Sequence, residues 1–204
     1  MMDYLSLRYV PGNNSIFKQV KRLPPAHGFT YDLRSRNLRT WRYWSPKIAT
    51  EKGLSQSEWQ IRIREELAGA LKRWTISDVP YAFSLSGGLD SSILVGLMSQ
   101  QTSKPVNTFS LGFEQGDWLA NDELPLAREL SERWGTNHHE LILKTESLVE
   151  ELESMICHLD EPYAGGLPSW FIYQAIAKQY KVTLTGTGAD ELFGDYSKWQ
   201  IYEH

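Results

Sequence analysis

Two glycine-containing stretches carry the residue types that could handle a phosphate ester. The first, Tyr81 to Ser92, reads Y-A-F-S-L-S-G-G-L-D-S-S. Alternating Tyr81, Phe83 and Leu85 describe a strand, and Ile93, Leu94, Leu97 and Met98 recur at helical spacing, so Gly87-Gly88 lies where a strand turns into a helix. Two residues without Cβ let backbone N–H groups converge there. Ser86, Ser91 and Ser92 add hydroxyl donors at the positive end of the helix. Such a pocket suits a pyrophosphate, whereas a plain Gly-Gly turn gives no reason for three serines and Asp90 in one loop. The loop has no lysine and matches neither G-x-x-x-x-G-K-[ST] nor G-x-G-x-x-G, so it is neither a Walker A loop nor a dinucleotide fingerprint.

The second stretch, Lys181 to Tyr196, reads K-V-T-L-T-G-T-G-A-D-E-L-F-G-D-Y. Again a strand runs into glycines, Gly186 and Gly188, and then into the carboxylates of Asp190 and Glu191. Neighbouring strand ends in a parallel sheet would bring Asp190 near Asp90 despite their distance in sequence. Two carboxylates plus phosphate oxygens form a Mg²⁺ site, because that hard cation takes one or two protein oxygens and completes its shell with phosphate and water. A purely structural role, complementing a helix dipole, is the other reading for Asp90. A structural role is also open to Asp190.

The elements that must hold these loops read as α/β. Ser55 with Glu58 predicts a capping box, and Trp59, Ile63, Leu67, Ala70, Leu71 and Trp74 predict an amphipathic helix over 56–74 with that stripe on the core. After the first loop the pattern predicts a helix to about Gln100, a strand at Val106 to Leu111, a helix around Leu124 to Trp134 and a strand at His138 to Leu143. Helices near 146–158 and 168–179 then precede a strand at Lys181 to Thr185. The fold class is a parallel twisted sheet with helices on both faces, its ligand lying at the carboxyl ends of the strands. Residues 1–48 differ: a turn-rich Leu23 to Gly28 precedes strands at Phe29 to Leu33 and Leu38 to Tyr43, joined as a short β-hairpin through Asp32 to Asn37. Residues 47–54 read as a linker.

At 204 residues the chain can build one good core, or one core and part of a second. A net charge of -4 with scattered basic residues argues against a nucleic-acid partner, and Arg34 to Arg42 reads as one polar strand face. No apolar run approaches the roughly 20 residues needed to span a bilayer, and residues 1–10 lack a signal-peptide pattern. The expectation is a soluble, cytoplasmic chain without a membrane partner. The single cysteine, Cys157, permits no internal disulfide, and its helical neighbours Leu152, Met155 and Ile156 predict a buried thiol. His138 and His139, adjacent on a strand, should point to opposite faces and serve structure rather than a shared metal. The tryptophans, Trp118 and Trp199 among them, are spread too evenly for a stacking platform.

The S-G-G-x-D-S loop resembles the pyrophosphate loop of ATP pyrophosphatases. The resemblance narrows when S-D-V-P-Y (77–81), F-S-L-G-F (109–113), G-T-N-H-H-E (135–140), L-D-E-P (159–162) and G-A-D-E-L-F-G-D-Y (188–196) are read in order, because together they resemble the synthetase domain of asparagine synthetases. It implies an adenine nucleotide α-hydrolase or Rossmann-like fold. Carried over, Ser86, Gly87, Gly88, Asp90, Ser91 and Ser92 bind pyrophosphate, and Asp90 and Asp190 hold Mg²⁺. Backbone near Ser84, Leu85, Leu111, Thr185 and Gly186 holds the adenosine of ATP. The implied reaction is attack of a small carboxylate, aspartate in the family, on the α-phosphate to give an acyl-adenylate, from which ammonia displaces AMP. Asp160-Glu161-Pro162 either ends a helix or lies near the acceptor or metal. By the same resemblance residues 1–48 are the closing part of a glutaminase domain plus linker, leaving through Trp44-Ser45-Pro46. Residues 49–204 are then the N-terminal part of a synthetase domain.

Three departures bear on this expectation. Where the family commonly carries an acidic residue to take a proton from ammonia, this chain has Thr187, whose hydroxyl is no base at neutral pH. Residue 2 is Met, so the glutaminase nucleophile is not present and ammonia must come from another domain or chain; the partner expected is a glutaminase or a second copy of the chain in a homo-oligomer. The chain also stops at His204, before the family's pyrophosphate-contacting lysine, and reads as truncated. Two alternatives stay open: a catalytically incompetent nucleotide-binding module, and a relative that forms a different amide such as a β-lactam or a peptide ring.

Overall fold

The computed structural model describes residues 2–114, 123–160 and 166–194, with the side chains of 3 and 145–147 left aside. Trp118, Glu161-Pro162, Asp195-Tyr196 and Trp199 lie outside the described residues. The chain forms two compact units, Met1–Leu54 with Glu153–Gly165, and Ser55–Leu152 with Gly166–His204.

The first unit opens with a short helix that the sequence pattern did not suggest, α1 (Met2–Leu7), and continues to an antiparallel hairpin, β1 (His27–Asp32) and β2 (Asn37–Arg42). The hairpin turns where expected because the Asp32 carboxylate accepts N–H bonds from Arg34 (2.9 Å) and Ser35 (2.7 Å), while Arg36 takes a positive φ of 55°. Those bonds, Ser35's first, hold the Asp32 carboxyl below its ordinary value. Every residue of β2 is exposed, so the hairpin is a ribbon rather than part of a core.

The second unit starts with α2 (Gln56–Trp74), capped as predicted: Glu58 N–H donates to Ser55 Oγ (3.3 Å) and Ser55 N–H donates to the Glu58 carboxylate (2.7 Å). Then follow β3 (Tyr81–Ser84), α3 (Leu89–Gln101), β4 (Asn107–Phe113), α4 (Leu124–Trp134) and β5 (Asn137–Leu143). The single helix expected over 146–158 is broken at Glu151 into α5 (Thr145–Glu150) and α6 (Leu152–Leu159), most of the latter belonging to the first unit. On α6 only Met155 is buried. Cys157 is exposed, contrary to expectation, because two positions along a helix turn a side chain by roughly 200°. The chain continues through α7 (Leu167–Ala177), β6 (Val182–Leu184) and α8 (Ala189–Phe193).

Four of these strands form one sheet in the order β5-β4-β3-β6, and all its pairings are parallel. One face packs Phe83 and Leu85 against Leu71 of α2, Val95 and Met98 of α3, and Ala127 of α4. The other packs Ala82 and Phe109 against Ile172 and Ile176 of α7. Helices thus cover both faces, which forces near-continuous apolar strands and accounts for Ala82 and Phe83 both being fully buried. The expected stripe on α2 is only half used: Leu67, Ala68 and Leu71 meet the core, but Trp74, the last residue of the helix, is 77% exposed.

On β5 the two histidines do face opposite ways. His139 stacks on Phe109 at 4.6 Å, and His138 Nδ1 bonds the hydroxyl of Thr108 (2.9 Å) on the other face. Burial holds the His138 imidazole below its ordinary 6.5, against the pull of Glu140 at 3.7 Å. Glu140 is itself held below its ordinary 4.5, first by the hydrogen bonds from Arg128 (2.9 and 2.8 Å). Both groups bind protons more weakly when folded. Stability from His138 is therefore complete above about pH 6.5 and is lost as pH falls below it, and that from Glu140 is lost below about pH 4.5. His138→Gln should flatten the urea midpoint against pH between those two values and leave the lower limb intact. Parallel curves for variant and parent would contradict this.

Candidate active site

The first loop is built from the end of β3. Leu85 N–H donates to the Phe109 carbonyl (2.8 Å) and the buried Ser110 hydroxyl donates to the Leu85 carbonyl, so β4 fixes the backbone just before the turn. Gly87 then takes a φ of 86°, and a Cβ there would stand 2.8 Å from the Glu123 carbonyl oxygen. Glycine is required twice over, by conformation and by the approach of α4's start. Gly88 caps α3 without a side chain. Ser86 and Ser91 brace the loop: their hydroxyls are 3.1 Å apart, Ser86 Oγ accepts the Gly88 N–H (3.2 Å), and Ser91 Oγ donates to the Gly88 carbonyl (3.1 Å).

The second loop leaves β6, which lies beside β3 with Leu184 opposite Phe83. Its first glycine sits directly on the first loop: a Cβ on Gly186 would be 2.8 Å from Ser91 N and 2.9 Å from Asp90 Cβ. Gly188 follows with φ 105°, and Asp190 falls in the first turn of α8. The Thr187 hydroxyl accepts from Thr185 Oγ1 at 3.1 Å, a bond internal to the loop.

Between the loops lies a cleft of about 450 Å³, within the ~300–1,000 Å³ typical of small-molecule sites. Ser84, Leu85, Ser86, Gly88, Asp90 and Ser91 line it from one side, and Thr185, Gly186, Thr187 and Asp190 from the other, with Leu111 of β4 between. Two residues read from the sequence do not line it. Gly87 is packed on α4, and Ser92 bonds the Gly88 carbonyl (2.6 Å) and faces a groove between α2 and α3. That groove is walled by Ile61, Ile63, Ile93 and Trp134, and among the described residues neither glycine loop nor any carboxylate lines it.

The sequence reading missed Glu123 at the start of α4, Phe113 of β4, and Pro168, Ser169, Ile172 and Tyr173 of α7. Their place depends on packing between elements distant in sequence. The one local signal was Pro168 in the first turn of a helix, which marks a helix N-terminus.

The asparagine synthase family model matches residues 62–203, well over half of the chain. The chain belongs to the asparagine synthase family. It is 33% identical over 201 residues to glutamine-hydrolysing asparagine synthetase 3 of Bacillus subtilis, covering 91% of this chain and 32% of that protein. It is 32% identical over 197 residues to the putative glutamine-hydrolysing asparagine synthetase 2 of Methanocaldococcus jannaschii, covering 95% of this chain and 37% of that one. The chain thus spans about a third of the length of these curated relatives. Among solved structures, the NH3-dependent NAD synthetase from Campylobacter jejuni aligns with a TM-score of 0.42 and 19% identity, over 66% of this chain and 58% of that one.

The glycine contact between the loops has a direct mutational consequence. Gly186→Ala should cost about 1–3 kcal/mol in urea denaturation, because the loops must move apart to admit a methyl group. Gly69→Ala, inside α2 with only the flexible tip of Arg73 near, should stabilise by about 0.5–1 kcal/mol. Equal effects of the two would contradict the tight loop contact.

Proposed function

We propose that this chain is the nucleotide-binding part of an ATP-dependent, carbon–nitrogen bond-forming ligase that makes an acyl-adenylate, with aspartate as the carboxylate and ammonia as the nucleophile. The observation that carries this reading is the contact of Gly186 with Asp90 and Ser91, because it puts two phosphate-type loops and two carboxylates on one cleft. Loop N–H groups with Ser86 and Ser91 hold the pyrophosphate. Leu111, Leu85 and the backbone at Ser84, Thr185 and Gly186 hold the adenosine.

Asp90 and Asp190 are the Mg²⁺ ligands in this reading. Among the described residues no three His, Cys, Asp or Glu side chains come together as a metal cage. A two-carboxylate donor set fits Mg²⁺, which completes its shell with phosphate and water, and does not fit a structural zinc. Bound there, the ion supplies neutralisation of negative charge on the phosphate oxygens.

The acceptor carboxylate oxygen forms a bond to the α-phosphorus as the bond to pyrophosphate breaks. Ammonia then bonds to the acyl carbon, AMP leaves with the former carboxylate oxygen, and a proton must be taken from nitrogen. Thr187 is tied to Thr185 and is no base, and a positioned base contributes about 10²–10⁴-fold, so amidation is the slower half-reaction. Among the described residues no lysine, arginine or histidine lines the cleft, and one preorganised charge stabiliser is worth about 10²–10³-fold in such a step. Ammonia is supplied by a glutaminase domain or partner in the cytoplasm. The same two deficits favour the second reading, a nucleotide-binding module without turnover.

ATP–pyrophosphate exchange separates the two. The ligase reading expects exchange that needs both Mg²⁺ and a carboxylate, with AMP rather than ADP as product. ATP binding without exchange on any carboxylate would leave the binding module. Thr187→Glu should raise amide formation about tenfold or more while leaving exchange unchanged, and an unchanged amidation rate would remove position 187 from the mechanism.

A further inference from the structure

The sheet hands the first loop over at a single peptide bond. β3 pairs with β4 as far as Ser84, which stands opposite Phe109, and the Leu85 N–H still donates to the Phe109 carbonyl (2.8 Å). The Leu85 carbonyl then receives a side chain, the hydroxyl of Ser110. Ser110 is 2% exposed and Leu85 is fully buried, so either group would be an interior orphan without the other. The Leu85–Ser86 peptide is trans and planar, which aims the Ser86 N–H away from the Leu85 carbonyl, and that N–H donates to Ser91 Oγ (3.2 Å). One peptide plane is thus held at both edges, by Ser110 from the sheet and by Ser91 from the loop. From Ser91 the bonds run on to the Gly88 carbonyl and to Ser86 Oγ, which accepts the Gly88 N–H.

We propose that Ser110 is a positioning residue for phosphate binding: its hydroxyl fixes the rotation of the Leu85–Ser86 peptide and, through Ser91, the shape of the loop that meets the polyphosphate end of a nucleotide. This inference rests on the reading of the cleft as a nucleotide site and goes beyond it, since Ser110 does not itself line the cleft. Without that hydroxyl the buried Leu85 carbonyl loses its partner. Leu85 lines the cleft, so relief comes by turning the peptide plane toward it. That rotation breaks the bond from Ser86 N–H to Ser91 and presents the negative end of a carbonyl dipole to the phosphates. A hydroxyl that only filled the core would alter stability and leave discrimination between nucleotides alone.

The test is the ratio of ATP to AMP affinity, measured by calorimetry with Mg²⁺ on the chain and on variants checked for a cooperative urea transition. AMP lacks the pyrophosphate and so reports the rest of the site. Ser110→Ala should weaken ATP binding about 3- to 10-fold, the worth of one hydrogen bond, and leave AMP binding unchanged. Ser110→Thr, which keeps the hydroxyl, should restore ATP affinity, and Ser110→Cys, which offers only a weak donor, should fall between. Equal losses for both nucleotides in Ser110→Ala, unchanged ATP affinity, or a Thr variant no better than Ala would overturn the proposal. Should Ser110→Ala not fold, the same ATP-to-AMP ratio in the Thr and Cys variants would contradict it. The two readings fail separately: a parent chain that binds ATP no more tightly than AMP removes the pyrophosphate reading of the cleft and this inference with it, whereas a parent preference that survives Ser110→Ala removes Ser110 only.

Discussion

Everything in the cleft depends on two loops touching where one of them has no side chain. Gly186 stands so close to Asp90 and Ser91 that a single methyl group would collide with backbone. That approach is possible because β6 pairs in parallel with β3, so both strands deliver their carboxyl ends, and the glycines after them, to the same edge of the sheet. Parallel pairing in turn requires long crossovers, and here the crossover between these neighbours contains two more strands and helices α3, α4 and α7, which pack on the sheet. The tight contact is thus a property of the whole second unit, although it involves three residues.

Rigidity at the first loop has a different source. Ser86 and Ser91 bond each other and the Gly88 backbone, while Ser110 holds the Leu85 carbonyl from the neighbouring strand. Their hydroxyls therefore do structural duty before any ligand arrives. The Ser86 and Gly88 N–H groups are used in the same way, donating to Ser91 Oγ and Ser86 Oγ (3.2 Å each), so the loop is braced from within. Ser92 belongs to the same run of sequence but serves only the helix, bonding the Gly88 carbonyl and facing away from the cleft.

Much of the architecture was legible because each element satisfied its own local rule. The capping box at Ser55 and Glu58, the alternating strand at Tyr81 to Leu85, the hairpin joined through Asp32 to Asn37 and the opposite-facing histidines were all readable from the sequence pattern. Three features were not. Cys157 is exposed because it lies two positions, roughly 200°, round α6 from Met155, the one buried residue of that helix. Trp74 is exposed because α2 runs past the core it packs on, and periodicity shows which face is apolar but not where its partner ends. Glu123, Ser169 and Tyr173 reach the cleft through packing of α4 and α7 on opposite faces of the sheet, and sequence separation hides that meeting. The glycine loops were legible as strand-to-helix turns, while the wall facing them depended on tertiary structure.

The central claim is that Asp90 and Asp190 act on one nucleotide-bound metal ion. A double-mutant cycle on ATP affinity, measured by calorimetry with and without Mg²⁺, addresses it most directly. The account predicts that Asp90→Asn and Asp190→Asn each remove most of the Mg²⁺-dependent gain in affinity, and that the double variant is little worse than either one. The coupling should then fall in the range of about 0.5–3 kcal/mol found for groups sharing a partner. Strictly additive losses, or a Mg²⁺ dependence that survives both substitutions, would contradict a shared site.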